Sequence, residues 1–312
     1  MNILISGGAG FIGSHLTDAL MAGGHTVVCV DNLCLGRREL IEHHFNNERF
    51  KFYEINVHDE VKLAEIFDCC KFDRVYHLAA NSDIQKGGTD PSIDIRDTLD
   101  TTISLLQAMR SNGIKELLFA STSAVYGDKQ DLLTENLGDL RPVSYYGGAK
   151  LASEAMISAF AAMNDMKVTI IRFPNVVGSR LTHGVIYDFV QKLRKNPNEL
   201  EILGNGTQEK PYIYVLDLVE AMLSLPFRAG VNIYNAGVET ATTVRRIADI
   251  VCSEMGLSEV NYLFTGGSVG WKGDVARFQY DLSKIHGTGW MAKHTSDEAV
   301  RLAAELMVEE TV

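Results

Sequence analysis

Through the first 173 residues, short apolar, β-rich runs alternate with segments of helical length. The runs are NILIS (2–6), TVVCV (26–30), FKFYE (50–54), DRVYHL (73–78), ELLFA (116–120) and KVTIIRF (167–173). Between them, 11–23, 59–68, 97–112 and 146–163 have the length and pattern of helices. This βαβα alternation predicts a parallel sheet covered by helices on both faces. After Pro174 the rhythm changes. HGVIYDFVQKLRK (183–195) reads as a helix, and LEILGNGTQEKPYIYV (200–215) as two short strands around a Gly-rich turn. A helix over 215–225 and a strand over 231–235 lead back toward the main sheet, followed by an amphipathic helix at 243–255 and a last helix at 295–308. The expected fold is α/β: a Rossmann-like doubly wound parallel sheet with a smaller C-terminal α/β domain. The expected boundaries are 1–174 for the larger domain, with 211–250 partly returning to it, and 175–210 plus 251–312 for the smaller.

Composition narrows the function classes. A net charge of −11 over 312 residues argues against a nucleic-acid surface, which needs clustered cations to displace counterions. It leaves room for a small anionic ligand held by local dipoles. The five cysteines (Cys29, Cys34, Cys69, Cys70, Cys252) are odd in number and fit no zinc spacing. Free thiols in a reducing cytosol are the expectation, with no metal. The N-terminal apolar run is too short for a signal peptide and lacks a cationic front. No stretch approaches the ~18 apolar residues of a membrane helix. A cytoplasmic protein without membrane or nucleic-acid partners is expected.

ISGGAGFIGSHL (5–16) sets Gly7, Gly10 and Gly13 between the first strand and its helix. Gly7 suits a tight turn, Gly10 permits close approach of a pyrophosphate, and Gly13 allows close packing of helix on strand. Phe11 and Ile12 open that helix, whose unpaired N–H groups and positive dipole end face the phosphates. The second strand ends at Asp31-Asn32, where a carboxylate meets adenosine ribose hydroxyls and repels a 2′-phosphate. NAD is therefore expected rather than NADP, although Arg37 and Arg38 stand close by. HLAA (77–80) closes the fourth strand with Leu78, Ala79 and Ala80, small enough for the cofactor to approach the backbone.

SYYGGAK (144–150) places Lys150 four residues after Tyr146, on the same helical face, whereas Tyr145 points elsewhere. FASTSAVYGD (119–128) brings hydroxyls to the carboxyl edge of the sheet, where such folds bind ligands. With GGAGFIG (7–13), RFPNVVG (172–178) and GNGTQEKPYIYVLDL (204–218), these motifs resemble the extended short-chain dehydrogenase/reductase family along essentially the whole chain. The branch is that of nucleotide-sugar epimerases and dehydratases, which includes UDP-glucose 4-epimerase-like members. The resemblance implies Thr122 as hydrogen-bond partner of the substrate hydroxyl, Tyr146 as acid/base and Lys150 on the nicotinamide ribose. Ser123 is placed to share the hydroxyl role. An ammonium and a cationic nicotinamide beside the phenol are expected to lower its pKa.

Two departures refine that reading. Dehydratase members carry Asp-Glu after the hydroxyl residue, but Ser123 and Ala124 stand here, which disfavours 4,6-dehydration. On the phosphate side Asn175 matches the family asparagine, while Lys210 replaces an arginine and Trp271 stands where a second arginine is common. Arg180, Lys272 and Arg277 are candidates to compensate. GSRLTHGVIYDFV (178–190), with His183, looks more like members that handle GDP-linked mannose or heptose-type sugars. The leading expectation is an NAD-dependent nucleotide-sugar 4-epimerase. A net C4 dehydrogenase or reductase and a non-catalytic NAD-binding sensor are the alternatives. The helices at 97–112 and 146–163 carry apolar or small residues on more than one face, as in LASEAMISAFAAM (151–163). Helices apolar all round must be buried, and the resemblance implies a homodimer through that pair.

Overall fold

The computed structural model describes residues 1–129, 132–271 and 273–309, apart from the side chain of Gln85. Lys272 lies outside the described residues. Seven strands form one sheet: β1 (Asn2–Ser6), β2 (Thr26–Asp31), β3 (Phe50–Glu54), β4 (Arg74–His77), β5 (Glu116–Thr122), β6 (Lys167–Phe173) and β7 (Gly230–Asn235). Their order across the sheet is 7-6-5-4-1-2-3. The pairs β1–β2, β1–β4, β2–β3 and β4–β5 are parallel. Strand order reverses between β1 and β4, which opens a crevice at the carboxyl ends where open α/β sheets take ligands. Val27 to Val30 are all buried, the continuous apolar run of a strand covered on both faces.

The crossover helices include α1 (Phe11–Ala22), α2 (Glu60–Cys69), α3 (Thr101–Ser111) and α4 (Tyr145–Asn164). Asp59 caps α2 by accepting from Lys62 N at 3.2 Å. Ser144 caps α4 by accepting from Gly147 N at 3.1 Å, and Asp165, at φ +52°, ends it. Each cap satisfies a backbone group that the helix itself leaves unpaired. The helix expected over 97–112 is regular only from Thr101, because Ile95–Asp100 is a wider π-helical turn.

The chain divides into two compact units, one made of Met1–Val125, Ser144–Arg172 and Met222–Tyr234, the other of Tyr126–Val143, Phe173–Ala221 and Asn235–Val312. The division breaks after Arg172, beside the expected 174, and its returning segment Met222–Tyr234 lies inside the expected 211–250. It follows packing rather than chain rhythm: β7 pairs into the large sheet, whereas 126–143 packs with the second unit. There Leu133 N bonds Gln279 O at 2.8 Å, and Asn235 Nδ2 bonds Leu133 O at 2.8 Å.

The second unit is built on α5 (Val185–Lys195), α6 (Val244–Glu254) and α7 (Ser296–Glu309). Phe189, Val190 and Leu193 from α5, Ile247 and Val251 from α6, and Val300 and Ala303 from α7 share one core. The two strands read around the Gly-rich turn do not pair with each other. Glu199–Ile202 pairs with Asn261–Phe264, Glu209–Lys210 with Thr242–Thr243, and Tyr212–Tyr214 with Asn175–Val177. The partner strands are short and carry little sequence signal of their own. No helix among the described residues is long and apolar enough to cross a membrane.

Candidate active site

The glycine turn is fixed by sterics. Gly7 has φ +77°, and a Cβ there would meet Ala79 N at 2.7 Å. A Cβ on Gly13 would sit 2.0 Å from Gly7 O, so a side chain at 13 would push α1 off β1. Gly10 differs, because its Cβ would meet protein only at Gly7 O, 3.3 Å away. Space is kept clear at Gly10 on the open side of the turn, at the N-terminus of α1, and that is where a pyrophosphate needs it. Phe11 and Ile12 follow in the first helical turn, and Leu78, Ala79 and Ala80 line the neighbouring β4 end, all partly buried.

Asp31 is buried at the end of β2, with Ala9 N at 3.0 Å from Oδ2 and Leu33 N at 2.9 Å from Oδ1. Burial raises its carboxyl pKa, partly offset by these backbone bonds. Each oxygen has a second lone pair, so the carboxylate is held in place and still able to accept from a diol. Asn32 is exposed and bonds Asn56 Oδ1 at 2.6 Å. Arg38 leans over Phe45, 4.8 Å from the ring centroid, and pairs with Glu54 at 3.8 Å.

Thr122 ends β5 and Tyr146 lies in the first turn of α4, and the Thr122 hydroxyl stands close enough to the phenol to act on its pKa. Thr122 Oγ1 accepts from Ala124 N at 3.2 Å. Lys150, 2% exposed, donates from Nζ to Ala120 O at 2.7 Å and lies 4.6 Å from the Phe119 ring centroid. Tyr145 is 54% exposed, so adjacent tyrosines have opposite fates, as their helical positions require.

The phenol does not follow the expectation of a lowered pKa. Burial pushes Tyr146 up to about 12, the Thr122 hydroxyl pulls it back in part, and the Asp94 carboxylate adds to the rise. Burial also lowers Lys150 to about 7, with Glu154 acting against it. For both groups, removal from water is the largest cause.

Sequence reasoning missed the polar groups behind this trio. Glu154 stands one turn beyond Lys150 and takes both Arg172 Nε at 3.0 Å and Arg172 Nη2 at 2.5 Å, together with Ser121 Oγ. His77 is buried between Ser6 Oγ at 2.6 Å and Thr102 Oγ1 at 3.0 Å, and burial lowers its pKa to about 3. Asn81 Nδ2 donates to Asp94 Oδ1 at 2.8 Å. The i, i+4 spacing of Lys150 and Glu154 was a usable signal; the other partners come from distant segments and left none.

The predicted phosphate-side residues lie in the second unit. Asn175 is exposed and pairs in register with Tyr212. Lys210 is ion-paired with the buried Asp274, and its ammonium lies 5.3 Å from the Trp271 ring centroid. Arg277 reaches Glu209 at 3.7 Å and Thr207 O at 3.3 Å. Arg180 adopts φ +66° and is partly buried. His183 is exposed beside Thr182, 3.1 Å away. Ser123 belongs to the first unit, next to Thr122, and Tyr126 is a buried structural residue that donates to Asn235 Oδ1 at 2.7 Å.

Residues 3–237 match the model of the NAD dependent epimerase/dehydratase family. The chain belongs to that family. A putative UDP-glucose 4-epimerase of Methanocaldococcus jannaschii is 30% identical over 98% of both chains. A crystal structure of a UDP-galactose 4-epimerase superposes with a TM-score of 0.87 at 36% identity, covering all of both chains. The UDP-glucose 4-epimerase of Thermus thermophilus, solved with NAD, gives 0.88 at 29% identity, again over all of both chains. The epimerase/dehydratase relatives are not uniform in chemistry. An Arabidopsis thaliana protein named UDP-glucuronic acid decarboxylase 4 is 32% identical over 80% of this chain and 56% of its own. A Streptomyces venezuelae dTDP-glucose 4,6-dehydratase reaches a TM-score of 0.89 at 25% identity, over 99% of this chain and 97% of its own.

For an NAD-dependent family member the residues present fit the cofactor. The clear space at Gly10, the α1 N-terminus and the fixed Asp31 carboxylate are a set that a dinucleotide needs and that the fold alone does not require.

Proposed function

We propose that this protein is an NAD-dependent nucleotide-sugar 4-epimerase, with a UDP-hexose as the favoured substrate class. The observation that carries the reading is the Thr122 hydroxyl beside the Tyr146 phenol, with Lys150 one turn further along α4, at the edge of the sheet that holds the glycine turn. Gly7, Gly10, Phe11, Ile12, Gly13, Asp31, Asn32 and Leu78–Ala80 would hold the cofactor, with Lys150 and Tyr146 on its nicotinamide side. Bound NAD supplies a reversible hydride acceptor and a positive charge. As phenolate, Tyr146 takes the proton of the sugar C4 hydroxyl, and as phenol it later returns it. Thr122 orients that hydroxyl and stabilises the phenolate, and Lys150 adds charge when protonated. Ser123 is a second donor for the sugar. The positions after Thr122 supply no carboxylate, which supports epimerisation over loss of water. Asn175, Arg180, Lys210 and Arg277 are proposed for the diphosphate, with Lys210 already compensated by Asp274. The first unit is the NAD-binding domain and the second the nucleotide-sugar domain. A homodimer and a cytoplasmic site of action complete the proposal.

The test uses UDP-glucose deuterated at C4. Recovery of the label at C4 of UDP-galactose supports the epimerase. Label accumulating on released reduced cofactor, or passing to another substrate, makes the protein a net oxidoreductase instead.

A further inference from the structure

We infer that the side chains of Asp18, His43 and His44 form a divalent-metal site of the zinc class on the surface of the first unit. His43 and His44 are consecutive residues in the tight 3₁₀ turn Glu42–His44. Such a turn has three residues per turn, so neighbouring side chains normally diverge by about 120°. Here both Nε2 atoms converge on one oxygen, Asp18 Oδ1 of α1, at 2.8 and 2.7 Å. The two ring centroids are 4.0 Å apart. His44 is seated by contact with Phe50, centroids 5.4 Å apart, which fixes its ring direction.

Convergence of two imidazoles on one carboxylate is an N₂O donor set. The three ligating atoms lie within 4.8 Å of one another. Bonds of ~2.0–2.2 Å to a tetrahedral zinc require donor atoms roughly 3.3 Å apart, so each nitrogen–oxygen separation opens by only about half an ångström. Neutral imidazole exposes a lone pair at Nε2 when the proton sits on Nδ1, and a tautomer exchange with water accomplishes that. The His43 side chain is 48% exposed and that of Asp18 30%, which leaves an open outer face for water as fourth ligand. Imidazole with carboxylate selects zinc, cobalt or nickel over magnesium or calcium. The spacing hides the site, because Asp18 and the histidine pair are 25 and 26 residues apart and resemble no metal motif. A bound ion would clamp the segment after β2 onto α1, the helix whose N-terminus carries the glycine turn.

The experiment uses the full chain with any affinity tag removed, stripped with chelator and titrated with Co²⁺, then competed with Zn²⁺. The expected result is one Co²⁺ per chain with the visible bands of a four-coordinate ion. His43→Ala and His44→Ala should each weaken binding about tenfold or more. Cys69→Ser/Cys70→Ser should leave it unchanged. Zn²⁺ should raise the Tm of the parent protein but not of His43→Ala, a substitution at a half-exposed position whose fold is checked by circular dichroism. Absence of saturable binding overturns the site, as does binding unaffected in both histidine variants or abolished in the cysteine variant.

Discussion

Tyr146→Phe removes only the phenolic oxygen, so NAD binding should survive while turnover falls ~10²–10⁴-fold, the scale of general acid–base assistance. Tyr145→Phe should change little, since that side chain faces solvent. Steady-state kinetics on both variants check the pair; near-normal turnover of Tyr146→Phe would refute the mechanism. Lys150 carries a second, less obvious prediction. An ammonium whose pKa falls from 10.5 to about 7 through burial costs on the order of 5 kcal/mol to keep charged. Between pH ~7 and ~10.5 the folded lysine is neutral and the unfolded one protonated, so unfolding takes up a proton and stability rises with pH. In cofactor-free protein, Lys150→Met should flatten that rise and stabilise the fold near pH 7, by roughly 1–3 kcal/mol after loss of the Ala120 bond. The same change should abolish most activity. Denaturant melts from pH 6 to 10 measure the slope, and a parent protein whose stability is flat over that range would contradict the burial of the charge.

The elements around the site tolerate less than their sequences suggest. Gly13→Ala places a methyl 2.0 Å from Gly7 O, backbone against backbone, which neither partner relieves without moving α1. The variant should lose ~10-fold or more in NAD affinity, together with a lowered Tm, whereas Gly88→Ala, with nothing nearby, should behave as the parent. Isothermal titration on both variants distinguishes a packing constraint from a general intolerance of helical substitutions. Strand β5 and helix α4 are tied by Ser121 to Glu154, and Glu154 to Arg172 of β6. This buried triad holds Lys150 and Thr122 from behind. The helix pattern predicted α4 to within a residue; Ile157 and Ala161 seat it in the apolar core, and the Glu154–Arg172 pair adds a buried charged tie whose partner strand the helical period does not reveal.

At the scale of the molecule, α4 carries an exposed apolar face. Ala155, Ala159, Ala162 and Met163 fall on one face of α4 and are exposed, Met163 by 83%. α3 is different, because Gln107, Arg110 and Ser111 make its exposed side polar. The proposed homodimer therefore rests chiefly on α4. Ala159→Glu, which buries a carboxylate in any such interface, should convert the dimer to monomer by light scattering at micromolar concentration with the far-UV spectrum unchanged. A parent protein that is already monomeric removes the proposal.

The glycine turn, Asp31, Thr122 and the Tyr146–Lys150 spacing were legible in the chain because each is a local solution to a local problem: a tight turn, a strand end, one helical face. The strands before Pro174 were legible for the same reason, since an apolar run needs no knowledge of its neighbour. Other features were decided only in three dimensions. Pairing of the short strands after Pro174 depended on partners distant in the chain that carry no period. The direction of the Tyr146 shift depended on how much water burial removes, and that is a property of packing rather than of the lysine beside it. The convergence of Asp18 with His43 and His44 arises where α1 meets a turn that follows another strand. Sequence determines what a residue can donate, accept or bury; only the tertiary fold determines what it meets and how dry that meeting is.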